Sequence, residues 1–142
     1  MQSNIICSGA LFYSTNTKRF LFLQRTAFKT KDTWGLVGGR ARYTESAFEG
    51  LKREIEEEVG GTPAFKKVIP LELFTSNDQK FFFHTYLIAV ESEFAPKLNS
   101  EHSGYCWTAF EYWPKNLHLG LKNTLNNKAI KGKLQTILDL IT

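Results

Sequence analysis

An α/β fold, an α/β/α sandwich built on a mixed central sheet, is what this sequence predicts. Three observations carry that prediction. Short β-prone runs recur along most of the chain. One amphipathic helical pattern interrupts them from Glu45 to Val59, and a second closes the chain from about Leu121 to Ile141. With 142 residues there is room for one domain, taken as residues 1–142, with a sizeable core.

Asn4 to Tyr13 is apolar and β-prone, a buried strand in which Gly9 allows a neighbour to approach closely. Ser14–Thr17 reads as a turn, and Arg19 to Gln24 as a second strand ending at Arg25. Thr26 to Thr33, with Lys29 and Lys31 around Phe28, is loop-like. Trp34–Gly39 is a glycine-bearing loop leading into the first helix. Lys66–Thr75 and Lys80–Glu91 are strands joined at Ser76–Asp78. In the second, Phe81, Phe83, Thr85 and Leu87 share one face, while Phe82, His84 and Tyr86 share the other. His84 is a sheet-face residue on this reading. Ser92–Ser103 is a loop, and Gly104–Phe110 a strand in which Trp107 packs. In the terminal helix Leu121, Leu125, Ala129, Leu134, Ile137, Leu138 and Ile141 form the apolar stripe, with Lys128, Lys131 and Lys133 facing water.

The first helix carries the chemistry. Thr44 is placed to cap it, with Glu45 in the first turn and Gly60–Gly61 at its exit. Ala47, Phe48, Leu51, Ile55 and Val59 fall on one buried arc. Glu54, Glu57 and Glu58 are three and four residues apart, so their carboxylates stand along one edge of that arc. Like charges at this spacing repel, and a hard divalent cation with oxygen ligands offsets the repulsion. The bland alternative is a solvated acidic face, the usual meaning of a Glu-rich helix.

The spacing around those carboxylates decides between them. Five residues part Gly39 from Glu45, and seven part Glu45 from Arg53; Arg53-Glu54-Ile55-Glu56-Glu57-Glu58-Val59-Gly60 follows without a gap. This stretch resembles the box of the Nudix hydrolases, with Gly61 in place of the apolar residue that ends it. Val37 and Arg42 also depart from the family pattern, which favours proline and glutamate there. The resemblance implies a Nudix-type sandwich and Mg2+, with Mn2+ as the alternative, held by Glu54, Glu57, Glu58 and the Gly39 backbone. It implies that Arg53 orients a box carboxylate and that Arg25 and Arg40 face substrate phosphates. The general base is then a box glutamate or Glu101. The implied activity is hydrolysis of a diphosphate linkage in a nucleoside diphosphate linked to a group X. Nucleoside triphosphates, ADP-ribose-like compounds and dinucleoside polyphosphates all qualify. A non-catalytic nucleotide-binding module is the rival from another class; hydrolases of inositol polyphosphates or mRNA caps are a rival among enzymes.

Composition narrows the partners. The net charge of +4 coexists with an acidic helix and with no concentrated basic stripe, which favours a small nucleotide over nucleic acid. Aromatic content of 14% leaves rings for stacking, with Phe28, Tyr43 and Phe82 as candidates. Cys7 and Cys106 show no metal or redox spacing and are expected to be buried thiols. The stretch MQSNIICSGALFY lacks a signal-peptide pattern and no run is long enough to span a bilayer, so a cytoplasmic location without membrane attachment is expected. The oligomeric state stays open between monomer and homodimer.

Overall fold

The computed structural model describes residues 4–141; Met1–Ser3 of the amino-terminal stretch and Thr142 lie outside them. Seven strands form one mixed sheet: β1 (Ile5–Ser14), β2 (Arg19–Arg25), β3 (Trp34–Gly35), β4 (Val37–Arg40), β5 (Lys67–Thr75), β6 (Phe81–Val90) and β7 (His102–Ala109). The spatial order is β3-β2-β1-β6-β5, with β4 also paired to β1 and β7 to β2. β1 runs parallel to β6 over its whole length, and the other pairings are antiparallel. The predicted class is therefore the observed one: a mixed sheet with helices on both faces.

Strand alternation divides the core between those faces. Ala10, Phe12, Leu21, Leu23, Ile88 and Val90 pack with Leu51, Ile55 and Val59 of helix α1 (Ala47–Val59). On the other face, Leu11, Tyr13, Phe20, Phe22 and Leu87 pack with Leu121 and Leu125 of α2 (Leu119–Asn126) and Leu134 of α3 (Lys128–Ile141). Each such side chain removed from water contributes about 1.5–3 kcal/mol, so two apolar stripes are enough to hold the helices on the sheet.

Local chemistry moves several expected boundaries. The terminal helix is two helices, because Asn127 leaves helical conformation (φ −71°, ψ 125°) and its side chain accepts from the Ile130 N–H to start α3. The stripe shifts with the break, leaving Ala129 exposed. Lys133 does not simply face water: its Nζ donates to the Leu71 carbonyl at 2.9 Å. β7 begins two residues earlier than expected, at His102. Gly38 and Gly39 are not loop residues; they lie in β4, opposite Gly9 and Ser8.

Helix α1 is capped by Ser46 rather than Thr44. The Ser46 hydroxyl accepts from the Glu49 N–H, while the Glu49 carboxylate accepts from the Ser46 N–H at 2.8 Å, a complete capping box. Gly60, at φ 79°, ends the helix by donating to the Glu56 carbonyl. We expect Ser46→Ala to cost about 0.5–2 kcal/mol, read as a lowered denaturation midpoint; an unchanged midpoint would assign the cap no weight.

Candidate active site

Glu45 precedes the helix, and this placement explains the fixed interval to Arg53. Arg53 Nε and Nη2 donate to the two Glu45 oxygens at 2.8 and 3.0 Å, a bidentate pair. The same guanidinium donates to the Arg40 carbonyl at 3.1 Å and approaches Glu57 at 3.3 Å and Glu54 at 3.7 Å. Arg53 thus ties the end of β4, the turn before α1 and the acidic edge of α1 into one unit. Its hydrogen bonds hold Glu45 down to about 2, and the paired carboxylates raise Arg53 further above its ordinary value.

The glycine pair in β4 serves a second purpose. A Cβ at Gly39 would lie 2.0 Å from Glu54 Oε2, and the Gly38 N–H donates to Glu58 Oε1 at 2.9 Å. The missing side chain of Gly39 leaves room for the Glu54 carboxylate and the Gly38 N–H holds that of Glu58, so both, from a helix packed against one face, line a cavity. That cavity has a volume of about 810 Å³. Arg25, Glu101 and His102 also line it. Arg25 arrives there through an irregularity: the β2–β7 register shifts between Gln24 and Arg25, setting Arg25 opposite His102. Arg25 Nε and His102 Nδ1 are both buried without a protein hydrogen-bond partner.

Electrostatics in the cavity are crowded. Glu58 is 3% exposed. Burial pushes its carboxyl up to about 8, against the pull of the Gly38 N–H, with Glu54 and Glu101 adding repulsion. Burial likewise raises Glu54 to about 7, opposed by Arg53. Burial and the Arg25 cation bring His102 down to about 4, so its imidazole is neutral near neutral pH.

The expected site residues divide. Glu54, Glu58, Glu101, Arg25 and Gly39 meet at the cavity; Glu57 and Arg40 do not line it. The Glu57 side chain is 47% exposed and turns towards Arg53, with Arg42 4.0 Å away. Arg40 is exposed at the end of β4 and acts here through its carbonyl. Of the expected stacking rings, Phe28 and Tyr43 stand 95% and 93% exposed, away from the cavity wall, and Phe82 is on the other sheet face. The rings that line the cavity are Phe74, Phe81 and Phe83. Phe81 and Phe83 were legible as one face of β6, but nothing local said that this face meets the site. Cys7 and Cys106 are free and half-buried rather than buried, and Cys7 lies in the cavity wall. His84 stacks on Tyr86 as a sheet-face residue.

Among the described residues, no three His, Cys, Asp or Glu side chains gather closely enough to hold a metal by themselves. The donor set still fits Mg2+, which typically takes one or two carboxylates and completes its shell with waters and substrate phosphates. Glu54 and Glu58 supply hard oxygens, and their mutual repulsion with Glu101 is what a cation would relieve. Also among the described residues, no helix is long and apolar enough to cross a membrane.

Comparison with known proteins agrees with this architecture. Nudix hydrolase 7 of Arabidopsis thaliana is 36% identical over 69 residues, 47% of this chain; the match spans 24% of that relative, about a quarter of its length. A MutT NUDIX hydrolase from Burkholderia pseudomallei superposes with a TM-score of 0.72 at 23% identity, over 89% of this chain and 99% of that one. An Ap4A hydrolase binary complex from C. elegans gives a TM-score of 0.69 at 18% identity, over 94% and 98%. Likeness at these identities establishes the fold. The model of the NUDIX domain matches residues 6–127, from β1 through α2 with the whole box inside it, and the chain therefore belongs to the NUDIX domain family.

Proposed function

We propose that this chain is a Mg2+-dependent hydrolase of a nucleoside diphosphate linked to a group X, cleaving a phosphoric anhydride bond. The observation that carries the proposal is the β4 glycine pair: Gly39 leaves room for the Glu54 carboxylate and the Gly38 N–H holds that of Glu58, both lining a cavity with Arg25 and Glu101. A bound Mg2+ would polarise phosphoryl oxygens and make a coordinated water more acidic. Glu54, Glu58 and the Gly39 backbone would hold the ion. Arg25, whose Nε lacks a protein partner, donates to a substrate phosphate oxygen. Glu101 takes the proton of the attacking water at its carboxylate. Glu57 and Arg53 act from outside the cavity by keeping the acidic edge of α1 in register. Arg40 and Arg42 place positive charge near the box and draw polyphosphates towards it. The location is cytoplasmic on this proposal, and the partner is a small molecule, since one nucleotide fits the cavity volume.

Nucleoside triphosphates, ADP-ribose-like compounds and dinucleoside polyphosphates form the substrate panel. Hydrolysis in 18O-labelled water with Mg2+ should put the label on one phosphorus of a diphosphate linkage, and EDTA should abolish turnover. Full activity in EDTA, or equal cleavage of simple monoesters, would overturn the proposal. The alternative is a nucleotide-binding module without turnover; the retention of every box carboxylate and of Arg53 counts against it.

A further inference from the structure

Distribution of charge divides the cavity into two ends. Arg25 is the one Lys or Arg among the residues described as lining it, and it accompanies Glu54, Glu58 and Glu101. Phe74, Phe81 and Phe83 line the cavity over β5 and β6, together with a carboxylate that the proposed hydrolysis does not use, Glu72.

Glu72 owes its place to a bulge. The β5–β6 register pairs Pro70 with Tyr86 but Glu72 with Thr85, leaving Leu71 as the extra residue. Directly paired residues share a sheet face, and Thr85 lines the cavity with Phe83 and Phe81. In an unbulged strand Leu71 would oppose Thr85, and Glu72 would point to the α1 face. The extra residue turns Glu72 to the cavity face, with Phe74 opposite Phe83 two positions on.

The carboxylate is held but not neutralised. Glu72 Oε1 accepts from Thr124 Oγ1 of α2 at 2.7 Å. Lys133, which shares an adjoining cleft with Glu72, spends a donor on the Leu71 carbonyl at 2.9 Å. An ionised carboxylate only accepts, so Oε2 and the second lone pair of Oε1 remain for N–H donors of a ligand. A second phosphate at this end would meet the Glu72 carboxylate, with no Lys or Arg beside it among the described residues that line the cavity.

We infer that this end of the cavity is a nucleobase pocket in which Glu72 selects a guanine-type base, by accepting from two adjacent N–H donors on one base edge. The inference rests on the phosphate end proposed above. Guanine offers N1–H and the 2-amino group side by side, matching the two oxygens of a carboxylate. Adenine and cytosine offer an exocyclic amine beside a ring acceptor, and uracil sets one N–H between two carbonyls that would face the carboxylate. Phe74, Phe81 and Phe83 give the base apolar and aromatic surface.

Binding of monophosphates tests this independently of turnover. Isothermal titration of GMP, IMP and UMP into the Mg2+-supplemented protein should give a Kd for GMP at least about tenfold below that for IMP, which lacks only the 2-amino group. That is the change expected for losing one charge-assisted hydrogen bond. UMP should bind more weakly still. Glu72→Gln, which keeps an oxygen for Thr124, should raise the GMP Kd at least about tenfold and bring the GMP-to-IMP ratio close to one. Equal affinities in the wild type, an undiminished GMP preference in the variant, or no binding of any monophosphate would overturn the inference. The wild-type comparison decides alone should the variant fail to fold. Selective GMP binding without nucleotide hydrolysis would sink the proposed activity and sustain the pocket; base-blind binding with hydrolysis would do the reverse.

Discussion

Glu58→Gln is expected to lower kcat by at least about 10²-fold while the melting temperature stays level or rises. The two halves of that expectation have separate causes. Glu58 is 3% exposed and accepts a hydrogen bond from the Gly38 N–H, which an amide oxygen would also accept. Removing a buried ionisable group relieves a desolvation cost and the repulsion from Glu54 and Glu101. The same change removes a hard anionic ligand from the proposed metal site, and losses of that kind reach the stated size. Thermal melts and steady-state kinetics on one preparation check both. A variant that melts early and turns over normally would reduce Glu58 to a structural role.

Gly39→Ala is expected to cost a similar factor in kcat with little loss of stability, and to contrast with its neighbour. The added Cβ would stand 2.0 Å from Glu54 Oε2, the far end of a flexible side chain. That chain can swing away, so the fold survives and the carboxylate leaves its place. At Gly38 the obstacle is backbone, with the Ser8 carbonyl oxygen 2.0 Å from the added Cβ, so Gly38→Ala should strike the β1–β4 pairing and lower the melting temperature first. Chemical denaturation beside turnover separates the two. Normal turnover in Gly39→Ala would show that Glu54 does not need its present position.

What the sequence determined by itself was set by local order and spacing. Strand alternation in β1 and β6, the buried arc of α1 and the glycine exit at Gly60 follow from periodicities of two and 3.6 and from capping chemistry. The interval from Glu45 to Arg53 was legible as a motif because it joins a turn to a helix of fixed rise, which brings a carboxylate to a guanidinium. Tertiary structure decided the rest. Whether Glu54, Glu57 or Glu58 lines the cavity depends on β4, a strand paired to β1 about thirty residues away in sequence, where Gly39 leaves a gap for Glu54 and the Gly38 N–H holds Glu58. The helix edge that carries all three carboxylates cannot reveal that gap. Two register shifts, at Gln24/Arg25 and at Pro70/Glu72, aim Arg25 and Glu72 into the cavity. A bulge belongs to a pair of strands, and no period within one of them announces it. For the same reason Phe74, Phe81 and Phe83, and not the exposed Phe28 and Tyr43, are the rings at the site: exposure and facing are properties of the packed sheet, and composition counts only how many rings there are.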